Sequence, residues 1–228
     1  MPDASPPPTA SAPNRRRVLA IVICLVWLLA IPLTVAYDPL LRLAYHHLMD
    51  GLVGWTHASD LITHLVSLKF IAPLALLLVF LDRRLRYWFL VDVGAASAGQ
   101  GIVEHALKHL FGRLRPDVAQ GLSVFTGPHA KGGFGFPSGH ALASFALAGV
   151  LSAWYPRWRW AFIVGAIIVC LARVQLDRHF FGDVMCGGFL GWYLALGVVT
   201  WRRRLIARSA RRRAEKTQQE HNAPIPEA

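Results

Sequence analysis

Six stretches of this 228-residue chain stay apolar for about 20 residues, the length a helix needs to cross the hydrocarbon core of a bilayer. The first, VLAIVICLVWLLAIPLTVA, follows Arg15–Arg17; the others cover roughly 61–82, 87–111, 138–155, 159–177 and 182–201. Inside lipid a backbone has no water to bond, so each run must satisfy its own amides as a helix. The pattern predicts an all-α integral membrane protein, a bundle of six transmembrane helices. Composition agrees: 54% of the residues are hydrophobic and mean hydropathy is +0.40, too apolar for an ordinary soluble domain. A cleaved signal peptide competes for the first run, because small residues near Ala36 resemble a cleavage site. The length of that run and the spans after it favour an uncleaved anchor.

Basic residues give the orientation. Arg15–Arg17, then Arg83, Arg84 and Arg86, then Arg157 and Arg159 all fall on one side. So do Arg202–Arg204, Arg208, Arg211–Arg213 and Lys216, which brings that side to 16 of the 24 Lys and Arg. By the positive-inside rule this side is cytoplasmic and holds both termini. The clustering also accounts for a net charge of +11 without any nucleic-acid partner. The expected organisation is a disordered cytoplasmic segment, 1–17, a six-span domain, 18–201, and a basic cytoplasmic tail, 202–228. The tail suits contact with anionic lipid, worth about 1 kcal/mol per charge near the surface. Cys24, Cys170 and Cys186 lie inside apolar runs and read as small buried hydrophobes. Eight cations are left over: Arg42, Lys69, Lys108, Arg113, Arg115, Lys131, Arg173 and Arg178. They lie on the outer side or within the spans, where topology alone would have removed them.

Three outward-facing constellations absorb several of these. KHLFGRLRP places Lys108 ahead of Arg115-Pro116 with six residues between, where the third span reaches the outer surface. PSGH, Pro137–His140, opens the fourth span. RVQLDRHFFGD carries Arg173, His179 and Asp183 into the sixth. Lys108, Arg115 and Arg173 are fixed cations beside an apolar region, a group suited to a multiply charged oxyanion such as phosphate. Ser138 and Gly139 at a helix N-terminus add unpaired N–H groups and a positive dipole end, with glycine allowing close backbone approach. A plain N-cap explains Ser138 equally well when PSGH is taken alone. His179 and Asp183, four apart, share a face on a helix. A carboxylate that holds one imidazole nitrogen makes the other a better-aimed base or nucleophile. His140 is then placed to move a proton to the leaving oxygen and from water. A lone structural hydrogen bond is the competing account of His179–Asp183.

Taken together, the three constellations resemble the type-2 phosphatidic acid phosphatase family, whose motifs are Lys-x6-Arg-Pro, Pro-Ser-Gly-His and Ser-Arg-x5-His-x3-Asp. The likeness covers roughly 85–201. The first two motifs are intact, and the third departs at its first position, where Ala172 replaces serine. If that serine donates a hydrogen bond to phosphate, this chain lacks the contact. The resemblance implies His179 as nucleophile through a phosphohistidine, Asp183 as its orienting partner and His140 as general acid and base. It implies a phosphate cradle of Lys108, Arg115, Ser138, Gly139 and Arg173. It also implies catalysis with no metal or other cofactor, on a lipid phosphate or isoprenoid diphosphate. Phosphatidate, phosphatidylglycerol phosphate, undecaprenyl diphosphate and lipid A phosphates all present that reacting group. A site on the outer face of a bacterial inner membrane would face the periplasm. Soluble vanadium haloperoxidases share the motifs, but six spans argue against that reading. A non-catalytic anion or lipid-headgroup transporter would use the cations and has no evident need for an oriented nucleophile.

Other polar residues read more quietly. Glu104 is four before Lys108 and is expected to orient it from behind the site. His105 and His109 lack a third ligand of matching spacing. Lys69 is intramembrane by this layout, and Asp60 and His64 are placed near a substrate entrance formed by 38–64 and 117–136. Asp92 is expected to pair with the Arg83–Arg86 cluster. GAASAGQG in the third span is expected to bring that helix into the bundle interior, and 127–136 to form a glycine-rich lid.

Overall fold

The computed structural model describes residues 15–49, 51–52, 54–65, 77, 80, 87–129 and 134–221. Its elements are α1 (Arg15–Met49), α2 (Trp55–Leu65), α3 (Trp88–Phe111), α4 (Gly139–Trp154), α5 (Arg159–Gln175) and α6 (Phe181–His221), with 3-10 turns at Gly127–His129 and Pro156–Trp158. The described residues are thus helical, joined by short turns and one longer segment between α3 and α4. Among the described residues, three helical stretches are long and apolar enough to cross a membrane: Ile21–Met49, Pro156–Gln175 and Phe181–Gln219. The expected spans 87–111 and 138–155 are helices of different character. α3 carries Asp92, Gln100 and Glu104 along its length, and α4 has 16 residues. The expected span 61–82, with Lys69, lies outside the described residues except for 61–65, which end α2, and isolated positions 77 and 80.

The interior belongs to α4. Nine of its residues are buried, and it packs most closely on α6, then on α5 and α3. Small residues permit this, since helix association in lipid depends on close van der Waals packing and not on apolar transfer. A Cβ on Gly191 would lie 2.2 Å from the Leu142 carbonyl oxygen, and one on Gly187 2.5 Å from that of Ser138. GAASAGQG contributes less than expected. Gly99 meets Leu194, whereas Gly94 and Gly101 meet nothing within 4 Å among the described residues, and α3 buries one narrow stripe, Phe89, Asp92 and Ala96.

α1 continues as helix well past its expected end, to Met49. The spacing 38, 42, 45–46 puts one polar stripe on the bundle side, and each member finds a partner. Asp38 meets Arg113, and Arg42 and His46 meet Asp177. The Tyr45 hydroxyl donates to the Leu171 carbonyl. At the other end of the bundle Asp92, fully buried, is in ion-pair contact with Arg202 at 2.8 Å and accepts from Trp154 Nε1 at 2.9 Å. Its described partner is therefore the first arginine after the last span; Arg83–Arg86 lie outside the described residues. α6 runs on through residue 202 without a break, to His221.

Candidate active site

The C-terminal ends of α3 and α5 and the N-terminal ends of α4 and α6 meet in one cluster. α3 ends at Gly112, whose left-handed φ of 55° lets its N–H return to the Lys108 carbonyl. A side chain there would meet the Gly127 carbonyl oxygen at 1.9 Å, so the turn requires glycine. The chain then leaves the helix as Arg113–Arg115, held by antiparallel bridges Arg113 to Phe125 and Leu114 to Phe134. Ser138 caps α4, its hydroxyl oxygen accepting from the Ala141 N–H at 3.4 Å. Its own N–H donates to the Asp183 carbonyl at 3.0 Å, which joins the starts of α4 and α6. At α6, Asp183 Oδ2 accepts from the Phe180 N–H at 2.8 Å, an acidic residue of the first turn reaching back to the cap.

His179 is buried in the turn before α6, so it does not share a helical face with Asp183 as its spacing had implied. Its Nδ1 lies 2.8 Å from the Gly135 carbonyl oxygen and 3.7 Å from Asp183 Oδ2. A carbonyl only accepts, so Nδ1 carries the proton and Nε2 keeps its lone pair. Burial lowers the His179 pKa below its ordinary value against the opposing pull of Asp183, with Arg173 and Arg115 adding to the lowering. The ring is therefore neutral at neutral pH. His140, second residue of α4, lies within electrostatic reach of Arg173, His179, Lys108 and Arg115. The structure thus brings together the residues singled out in the three motifs.

The leftover cations separate into two kinds. Arg42 is paired with Asp177 at 2.7 Å, Arg178 with Asp117 at 2.9 Å, and Lys108 with Glu104 at 2.5 Å. Arg113, fully buried, donates to Asp183 Oδ1 at 2.6 Å and Asp38 Oδ2 at 2.8 Å. Arg115 and Arg173 have no carboxylate within ion-pairing distance among the described residues. Arg115 Nε donates weakly to the Phe134 carbonyl at 3.4 Å. Arg173 is 8% exposed, and its Nε has no hydrogen-bond partner among the described residues. Lys131 lies outside them. A buried guanidinium left without an anion is costly to hold, and an incoming oxyanion relieves it.

Glu104 sits behind Lys108 as expected and also takes a hydrogen bond from Gln100. Its carboxylate presses on the α4 N-terminus. A Cβ at Gly139 would fall 2.1 Å from Glu104 Oε1, so the group that approaches Gly139 closely is this carboxylate. Four participants escaped the sequence reading: Arg113, Asp38, Gln100 and the Gly135 carbonyl. The 134–136 end of the expected lid is built into the site, with Gly135 N–H bonded to the Arg113 carbonyl and Phe136 buried against Phe111. Asp38, placed in the entrance by sequence, is buried at the site's foundation. Asp60 and His64 are exposed and close on each other. His105 and His109 stack at 4.1 Å between centroids, and no metal-binding group of three or more occurs among the described residues.

Residues 89–207 match the PAP2 superfamily. The chain belongs to that family. It is 35% identical over 107 residues to a lipid A 1-phosphatase of Rhizobium etli, covering 45% of this chain and 46% of the relative. It is 32% identical over 155 residues to diacylglycerol pyrophosphate phosphatase 1 of Saccharomyces cerevisiae, covering 51% and 54%. The chain thus spans about half the length of the curated relatives it matches. In fold it is similar to a transmembrane PAP2 type phosphatidylglycerolphosphate phosphatase from Bacillus subtilis, with a TM-score of 0.60 and 22% identity over 79% of this chain and 96% of that one. The protein is an all-helical membrane protein of this PAP2 fold.

Proposed function

We propose that the protein is a metal-independent lipid phosphate phosphatase. The observation that carries this reading is the pairing pattern: Arg115 and Arg173 have no carboxylate at ion-pairing distance among the described residues, while a buried, neutral His179 with a free Nε2 lone pair lies within their electrostatic reach. Phosphate fills the first need and is the electrophile for the second. Nε2 of His179 attacks phosphorus as the bond to the lipid oxygen breaks, and His140 gives its proton to that oxygen. The same His140 then takes a proton from water, which attacks phosphorus; the P–N bond breaks and inorganic phosphate leaves. Lys108, Arg115, Arg173 and the α4 N-terminus at Ser138 and Gly139 hold the phosphoryl oxygens. Losing one such donor typically costs about 3–4 kcal/mol in the transition state.

The charge bias of the sequence supports six spans, both termini in the cytoplasm and the site on the outer face, which is the periplasmic side of a bacterial inner membrane. Phosphorylated lipid A is the first substrate to try, because the R. etli relative is named for it; the yeast relative makes a lipid diphosphate the second. The test is phosphate release by detergent-purified protein, with EDTA present, from lipid A, diacylglycerol pyrophosphate, phosphatidate, phosphatidylglycerol phosphate and undecaprenyl diphosphate. Wild type is expected to release phosphate from at least one lipid and His179→Ala to fall by about three orders of magnitude or more. Equal release by His179→Ala, or none by folded wild type, would sink the reading. In the second case a headgroup-binding or transport role becomes the better account.

A further inference from the structure

Asp38 lies 145 residues from Asp183 in sequence, on a different helix, yet both are fully buried on the same guanidinium. Asp38 Oδ2 accepts from Arg113 Nη2 at 2.8 Å and Oδ1 from the Gly182 N–H at 2.8 Å. With both oxygens accepting, the carboxylate has no need of a proton. Arg113 is fixed further by Ser123 Oγ at 2.7 Å and by the Phe180 ring under its guanidinium at 4.4 Å. A Cβ on Gly182 would fall 2.7 Å from Asp38 Oδ2, so α1 grips the first turn of α6 with no room to spare. That turn holds the residues on which His179 depends.

The charges explain why a second carboxylate is there. Arg113 touches Asp183 at 2.6 Å and by itself would neutralise that carboxylate's effect on His179. Asp38 shares the cation, so Asp38, Arg113 and Asp183 together carry one negative charge. We propose that Asp38 is a positioning residue: through Arg113 and the Gly182 N–H it sets Asp183 in place and leaves it a net negative field at His179, whose ring gains positive charge as it attacks phosphorus. The proposal rests on the phosphatase reading for its consequence in catalysis. The field itself exists whether or not the protein hydrolyses a lipid.

Among the described residues, the charged groups that act on His179 include Asp183 from α6, Arg173 from α5, His140 from α4, and Arg115 and, through Asp183, Arg113 from the segment after α3. Asp38 from α1 acts on Asp183. Asp38→Asn keeps the shape and removes one negative charge, so the imidazolium of His179 loses support and its titration moves to lower pH. The double variant Asp38→Asn/Arg113→Gln removes one charge of each sign and restores the net value.

The experiment is ring-carbon NMR of the labelled full-length protein in detergent, with the His179 signal assigned by its loss in His179→Gln, alongside pH–rate profiles on the best lipid. In Asp38→Asn the His179 midpoint and the acid limb of kcat/KM are expected to fall by about half to one pH unit. kcat should drop about tenfold with KM within twofold. Asp38→Glu should recover part of both, and the double variant should return the midpoint toward wild type. A midpoint and acid limb unmoved in Asp38→Asn, or equally displaced in the double variant, overturn the proposal. If Asp38→Asn does not fold, the double variant decides: a midpoint near wild type supports the charge argument and a displaced one overturns it. A shifted midpoint in protein that releases no phosphate would sink the phosphatase reading and leave the role of Asp38 standing. Release with an unmoved midpoint would do the reverse.

Discussion

The two ends of α4 solve the same problem in opposite ways. At Trp154 the buried Asp92 has its cation, Arg202, whose guanidinium also lies over the Trp154 ring at 4.7 Å. At His140, satisfied and unsatisfied cations stand side by side: Arg113 between two carboxylates, Arg115 and Arg173 with none among the described residues. A matched buried charge holds helices together, whereas an unmatched one stores a demand for a ligand. The first should cost stability when removed, and the second should cost only function.

Arg173→Ala tests this most severely. It removes a buried cation with no carboxylate partner among the described residues, so turnover should fall by about 10²–10³-fold while thermal stability in detergent stays level or rises. A melting temperature that falls along with activity would erase the distinction. Arg202→Ala is its mirror image. It leaves Asp92 buried and unpaired, so it should destabilise by about 3 kcal/mol and leave kcat/KM of the surviving folded protein within about twofold. Denaturation in detergent paired with phosphate release reads both quantities.

The acid limb of kcat/KM sharpens the comparison next. On the proposed mechanism the neutral His179 ring is the reactive form, and its pKa is held below the ordinary 6.5, so activity should persist at pH 6.5 and fall only as pH drops through that lower value. An acid limb above 6.5 would assign the titration to another group. The smallest effect belongs to Ala172→Ser. Ala172 is fully buried one residue before Arg173. A serine there should raise kcat/KM a few-fold if it reaches the phosphoryl oxygens, with no change in stability beyond about 0.5 kcal/mol.

Much of this site was legible because cations stood where membrane topology would have removed them. Lys108, Arg115 and Arg173 were conspicuous for that reason, and PSGH marked a helix start that the structure places at Gly139. What could not be read is which cation is already occupied. Arg113 and Arg115 are two apart in one short stretch and look alike in sequence, yet one is clamped by Asp38, 75 residues away, and the other has no such clamp among the described residues. Nothing local marks that pairing. The hydrogen bond that sets the His179 tautomer comes from a backbone carbonyl, a group every residue carries and no motif records. Small residues misled for a related reason: glycine permits close approach, but only the partner surface decides whether it happens. Gly187 and Gly191 met α4, while Gly94 and Gly101 met nothing within 4 Å among the described residues.

α6 begins next to His179 and passes, unbroken, through Arg202. From Asp183 to Arg202 is about 28 Å at 1.5 Å per residue, close to the thickness of a bilayer's hydrocarbon layer. One rigid rod therefore ties His179 to a run of arginines suited to the headgroups of one leaflet. It works as a gauge: wherever those arginines rest, the level of His179 is set one hydrocarbon thickness away. In a thicker bilayer the rod would come up short, and on the proposed function lipid phosphates would ride above His179.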